Sequence, residues 1–380
     1  MKVPLLDLTG QYEQIKEEIM EVMQKIFQEQ HFILGPRVKA LEAELAQYCR
    51  TVDAVGVSSG TDALMISLMA AEIGSGDVVL TTPYSFFATA GVVHRLGAQP
   101  AFCDIEPDTY NLSPARFAET LERFKGMDKA RLRAVIPVHL YGQCADMDPI
   151  LELSKKANLT VIEDAAQAIG AEYKGKRAGS MGDFGCFSFF PSKNLGAFGD
   201  GGCVTTQVES TGHRLRILRV HGSEPKYYHP MIGGNFRLDT LQAAVVSVKL
   251  KHLDGWTEKR RENAARYRRY FESAKLENRV ALPIEKESRH IYNQFVIRVK
   301  DKRDALKAFL AESGIGTEIY YPIPLHLQPC FSYLNYRKGD FPEAERAAGQ
   351  TLALPIYPEL TDAQAAYVVE KIQEFFMKAK

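Results

Sequence analysis

No two cysteines in this chain of 380 residues are spaced as Cys-x-x-Cys. The six cysteines are Cys49, Cys103, Cys144, Cys186, Cys203 and Cys330. They indicate neither a zinc ribbon nor a redox dithiol. Several fall in strand-like apolar runs, where reduced core thiols are expected. An excess of one charge is also missing, because 47 basic residues balance 47 acidic ones. A basic face for nucleic acid is therefore not suggested. The cluster KRRENAARYRR (259–269) interleaves charge with apolar positions and reads as a solvated helix face. No apolar run reaches the ~18 residues of a membrane span. The start, MKVPLLDLTGQYEQ, lacks the long apolar region of a signal peptide. There is no internal repeat and no low-complexity tract. These absences leave a cytoplasmic enzyme or binding protein without nucleic-acid, membrane or metal partners.

Apolar residues make up 46% of the chain and charged residues 25%, an ordinary balance for a globular protein. At ~100–200 residues per domain the length suggests two or three domains. Helical spacing of Ile15, Ile19, Met23 and Ile26 predicts a helix over 11–30, ended by the breaker FILGP. From 53 to about 205 short apolar runs alternate with helical segments. Strands are expected over 77–83, 98–105, 133–142, 159–166, 184–190 and 201–206, with helices over 85–97, around 114–125 and over 146–158. That alternation predicts an α/β domain with a mostly parallel sheet. A long helix over about 237–275 is expected to bridge to a smaller α+β region. That region holds a strand at 292–299, a helix at 303–314 and a last helix from Thr361. The implied division is a large domain with an N-terminal helical arm, 1–250, and a small C-terminal domain, 251–380.

Three motifs in the α/β region carry chemistry. In SSGTDALMISLMAAEIG (58–74), Gly60 and Thr61 stand where a loop becomes a helix. Free N–H groups there form an anion site, and glycine permits close approach; an ordinary N-cap has the same look. In TVIEDAAQAIGA (160–171), an apolar strand ends in Glu163-Asp164, where open α/β sheets bind ligands. Asp164 there suits a protonated ring nitrogen, or it caps a helix; Gln167 shares the face. In FSFFPSKNLGAFGDGG (187–202), Ser188 is placed to reach an anion and Lys193 sits among apolar residues and glycines. Desolvation makes such an amine nucleophilic, although a loop lysine also snorkels to solvent. Together a phosphate cradle, a ring-nitrogen partner and a Schiff-base lysine are the parts that hold pyridoxal 5′-phosphate (PLP).

SSGTDAL, TPYSFFATA, VIEDAAQAIGA, FSFFPSKNLGAFGDGG and GGNFRLDTLQAA resemble the nucleotide-sugar aminotransferases of the DegT/DnrJ/StrS type, and the resemblance runs from PLLDLTGQY (4–12) to LALPIYPEL (352–360). It implies the fold of the aspartate aminotransferase class (fold type I) and a homodimer. Lys193 would carry the cofactor and shuttle the proton, and Asp164 would keep the pyridinium nitrogen protonated. Gln167 would bond the ring hydroxyl. Phe86 would stack on the ring, with Phe87 as the alternative. The backbone of Gly60, Thr61 and Asp62 and the Ser188 hydroxyl would bind phosphate, and Asn235 would reach the partner subunit's phosphate. A branch with histidine at the lysine position dehydrates instead, so Lys193 favours transamination. The implied reaction takes an amino group from an amino acid, glutamate, to a keto-sugar on a dTDP or UDP carrier. Similarity of VHLYGQCADMD and YYPIPLH favours the 3-keto over the 4-keto enzymes. Tyr320-Tyr321 stands where C3-acting relatives often carry histidine-tyrosine. Tyr320, His326 and Arg237 are the expected substrate contacts, with a structural role open for His326. The alternatives are a 4-keto-sugar aminotransferase, a PLP-binding regulatory protein and a PLP lyase such as an aldolase.

Overall fold

The computed structural model describes residues 1–124, 132–286 and 289–378. Among the described residues twelve strands form in chain order: β1 Asp53–Val57, β2 Val78–Thr81, β3 Gln99–Phe102, β4 Leu132–Ile136, β5 Thr160–Asp164, β6 Glu172–Tyr173, β7 Lys176–Arg177, β8 Phe184–Ser188, β9 Gly202–Thr206, β10 Val280–Ala281, β11 Phe295–Val299 and β12 Thr351–Leu354. Seven build one sheet in the order β1-β9-β8-β5-β4-β2-β3. Only β9 runs against its neighbours, so the sheet is mostly parallel. Its strands are apolar runs because helices cover both faces, and two clusters of buried side chains occupy those faces.

A second core surrounds the antiparallel sheet β10-β11-β12 and includes Tyr267, Phe271, Phe295 and Leu352. The start of the chain joins it: Val3 bridges Ile315, donating its N–H to the Gly314 carbonyl at 2.9 Å. A third, aromatic cluster lies between these units and draws Tyr84, Phe102 and Tyr141 together with Tyr321 and Phe331.

Two expectations change. The long helix over 237–275 is two helices, Thr240–Leu250 and Leu253–Ser273, separated at Lys251 and His252. The first buries Val245 and Val248 with Ile15 and Ile19 of the N-terminal helix, Thr9–Glu29. The second turns Tyr267 and Phe271 into the other core, and the change of partner requires the break. The basic cluster is not simply a solvated face either. Arg260, Asn263 and Tyr267 are buried and donate to the carbonyls of Ile356, Tyr357 and Pro355 at 2.8, 2.8 and 2.9 Å. Three consecutive carbonyls thus gain partners from one helix face, which a buried segment without regular pairing requires. The helix expected around 114–125 is Pro114–Phe124; residue 125 lies outside the described residues. All six cysteines are free and five are buried. Among the described residues no helix is long and apolar enough to cross a membrane and no side-chain cluster suits a metal.

Candidate active site

The chemistry-bearing residues collect at the carboxyl ends of β1, β2, β5 and β8, where an open parallel sheet leaves a crevice. After β1 the chain enters the helix Gly60–Ala70, capped by Ser59, whose Oγ accepts from the Asp62 N–H at 3.0 Å. Asp62 returns the favour, its carboxylate accepting from the Ser58 and Ser59 hydroxyls at 2.6 and 3.0 Å. Such a cap is worth about 1 kcal/mol. It also spends the Asp62 N–H that the sequence offered to phosphate. The Gly60 and Thr61 N–H groups precede the first helical acceptor and keep their donors.

Ser188, the last residue of β8, faces this helix start. A Cβ on Gly60 would lie 2.6 Å from the Ser188 Cβ, and one on Gly202 would lie 2.5 Å from the Ser59 carbonyl. Glycine at both positions therefore lets helix, strand and serine close around a shared cradle. Ser188 Oγ accepts from the Phe190 N–H at 3.3 Å, leaving its own proton to give.

Asp164 ends β5 at 5% exposure. Its Oδ2 accepts from the Thr89 hydroxyl at 2.8 Å and its Oδ1 from the Ala166 N–H at 3.2 Å. Burial raises its carboxyl, while these bonds and the Lys193 charge oppose the rise. Beneath it Glu163 is fully buried, accepting from His139 Nε2 and from the N–H groups of Gly179, Met181 and Gly182 at 2.6–2.8 Å. His139 Nδ1 accepts from the Ala145 N–H at 3.1 Å, so the ring proton lies on the side of Glu163. This floor fixes the backbone that aims Asp164.

Lys193 follows β8 in a turn closed by its own N–H on the Phe190 carbonyl at 2.8 Å. Its ammonium has no side-chain partner among the described residues. Desolvation lowers it to about 8, against the opposing pull of Asp164. Structure therefore brings Lys193, Asp164, Gln167, Gly60, Thr61 and Ser188 to one crevice. Phe86 is 61% exposed, whereas Phe87 stacks on Phe331 at 5.6 Å, which leaves Phe86 as the free ring. Arg237 bridges Val57 beside the cradle, and its buried Nε lacks a partner. Asn235 is exposed on the same segment. Tyr320 borders a small cavity with Ser192, Asn293 and Gln294.

His326 does not join them. It is 2% exposed, its Nε2 3.1 Å from a Glu345 oxygen and its ring edge-on to Phe341 at 4.8 Å. An acidic partner and an aromatic box hold it inward, so it cannot touch substrate there. Sequence reasoning assigned nothing to Thr89, although it lies in the TPYSFFATA motif, and gave Tyr321 no partner; their bonds to Asp164 and Gln167 span 75 and 154 residues.

The profile of the DegT/DnrJ/EryC1/StrS aminotransferase family matches residues 13–373. The chain belongs to that family. Its members are PLP-dependent enzymes, and the cradle, acid and free lysine described above suit that cofactor. A protein of Geobacillus stearothermophilus named pleiotropic regulatory protein is 51% identical over 377 residues, 99% of each chain. The UDP-N-acetyl-3-dehydro-alpha-D-glucosamine 3-aminotransferase of Acidithiobacillus ferrooxidans is 42% identical, covering 98% of this chain and 97% of its own. The X-ray structure of S. venezuelae DesV with a ketimine intermediate superposes with a TM-score of 0.92 at 39% identity, covering 98% of each chain. The family member described here thus has the aminotransferase fold and is a PLP-dependent aminotransferase.

Proposed function

We propose that the protein moves an amino group from L-glutamate to C3 of a keto-hexose carried on UDP or dTDP. The observation that carries the transamination reading is the desolvated Lys193 amine, unpaired and held beside Asp164. The 3-keto position and the nucleotide carrier are supported by the 3-aminotransferase name of the Acidithiobacillus relative.

When bound, PLP supplies an electron sink for the carbon that loses its proton. The chain's own residues do the rest. Lys193 would hold the cofactor covalently and, once released, carry the proton as general base and acid. A lysine at about 8 divides between both forms near neutral pH, as those two tasks need. Asp164, aimed by Thr89 and Ala166, would keep the ring nitrogen protonated, and Gln167 would donate to the ring hydroxyl. The Gly60 and Thr61 N–H groups and the Ser188 hydroxyl would take the phosphate, with Asp62 serving the cap instead. Phe86 would cover one ring face. Tyr320 and Arg237 would meet the nucleotide-sugar.

Phe32, Ile33, Phe190, Tyr227, Tyr228 and Ile232 are exposed, and Ile232 lies three residues before Asn235. A second copy would cover them and bring Asn235 to the partner's cradle. We divide the protein near residue 250, and its unpaired thiols suit the cytoplasm.

Incubation with glutamate and matched 3-keto and 4-keto nucleotide-sugars tests the reading. A 3-amino product is expected, and an amine placed at C4 would overturn the regiochemistry. The regulatory name of the Geobacillus relative favours a second reading, a PLP-binding regulator. A regulator has no use for the lysine's second task, and loss of turnover with PLP binding intact in a Lys193 variant that keeps its cellular effect would establish it.

A further inference from the structure

Gln167 lies three residues beyond Asp164, and both ends of its amide are occupied. Oε1 accepts from the Tyr141 N–H at 2.8 Å, and Nε2 donates to the Tyr321 hydroxyl at 2.8 Å. Tyr141 is held at a φ of 59°, in the left-handed region that a bulky residue rarely adopts. That conformation delivers its N–H to Gln167, so the amide cannot flip without losing a buried bond. A primary amide has two N–H groups. With one on Tyr321, a single N–H remains for the crevice.

Tyr321 is itself tightly held, at 8% exposure. It stacks on Tyr141 at 6.2 Å and 16°, and stands edge-on to Tyr84 at 5.4 Å and 84°. The Tyr84 hydroxyl lies 3.0 Å from the Tyr141 hydroxyl and 2.8 Å from Thr351 Oγ1. The cluster therefore ties three loops of the large sheet to the C-terminal unit. Tyr321 also neighbours Tyr320, the expected substrate contact.

We infer that Tyr321 is a positioning residue that aims the last free Gln167 N–H at the cofactor's ring oxygen, and so links the substrate-bearing segment to the cofactor's electronics. The inference rests on the reading of Gln167 as the ring-hydroxyl donor. A hydrogen bond to that oxygen stabilises its negative charge and lowers the pH at which the lysine-bound cofactor gives up its proton. Without the tyrosine hydroxyl the amide swings and that bond weakens. The titratable groups around the amide are Tyr84, Tyr141, Tyr320, Asp164 and Lys193, with His139 behind Asp164. None of them is changed by the substitution that tests the idea.

The test titrates the visible band of PLP-loaded enzyme against pH and measures PLP affinity in Tyr321→Phe, Gln167→Leu and the double variant. Phenylalanine keeps the ring that packs on Tyr84 and Tyr141. Tyr321→Phe should raise the midpoint by ~0.5 pH unit and weaken PLP binding ~3–10-fold, as loss of one neutral hydrogen bond implies. Because Tyr321 acts through Gln167, the double variant should match Gln167→Leu alone. Additive shifts would mean that Tyr321 acts on the cofactor directly, overturning the inference. An unmoved midpoint in Tyr321→Phe with a moved one in Gln167→Leu would overturn it while leaving the Gln167 reading intact. Unmoved midpoints in both would overturn that reading as well.

Discussion

Two desolvated lysines at one turn of this protein share a lowered pKa but not a role. Desolvation brings Lys193 to about 8 and Lys249 to about 8. Lys249, on the helix Thr240–Leu250, donates to the Gly196 carbonyl at 2.6 Å and lies over the Phe198 ring at 4.8 Å. It pins the glycine-rich turn from behind. Lys193 stands at the front of the same turn without a partner, and its charge meets that of Asp164. A perturbed pKa therefore marks both, and only geometry separates the nucleophile from the strut.

Lys193→Ala should lower kcat by ~10³-fold or more, since it removes both the covalent anchor and the proton carrier. Steady-state assays with keto-sugar measure this, and a mild loss would dissolve the distinction. Asp164→Asn should cost ~10²-fold in kcat by withdrawing a buried charge opposite the cofactor. Lys249→Met in the same assay should change kcat by less than ~3-fold. There the lost charge-assisted bond of about 1.5–3 kcal/mol is offset by no longer burying an ammonium without a counter-charge.

The pH dependence sharpens the contrast further. The neutral amine is the form in which Lys193 would bond to the cofactor's aldehyde, and a lowered pKa enlarges its share below the usual lysine range. Capture of PLP by the cofactor-free protein should thus rise about tenfold per pH unit below pH 8 and level off above it, followed by stopped-flow absorbance. Lys249→Met should leave that midpoint in place. A midpoint that moved with Lys249 would show the two amines to be coupled. Its smallest expected effect is on stability, a melting temperature within a few degrees of the parent's by calorimetry.

What the sequence made legible was local. The strand VIED and the lysine in FSFFPSK carry their environment with them, because apolar runs announce burial and the charged residue at the end stands out. The sheet's alternating elements were readable for the same reason. His326 looked like a polar residue in a substrate loop, yet Glu345, 19 positions away, draws it into an aromatic box. Arg260 lies in a run that reads as solvated, but three backbone carbonyls of a distant segment needed donors. The break at Lys251 was hidden because both helices continue the same periodicity while changing what they pack against. Thr89 and Tyr321 act through partners that no local pattern specifies.

The interlocked glycines of the cradle bear on how genetic variation in this protein should be interpreted. At Gly60 even a methyl group would wedge the helix start away from Ser188 at the end of β8, and at Gly202 it would push β9 off the Ser59 cap. A saturation screen would score both positions as intolerant as Lys193 itself, though neither contributes a reacting atom. Inactive alleles there would report a lost fit between backbones, and their sensitivity to side-chain size rather than charge would tell them apart from lesions in the chemistry.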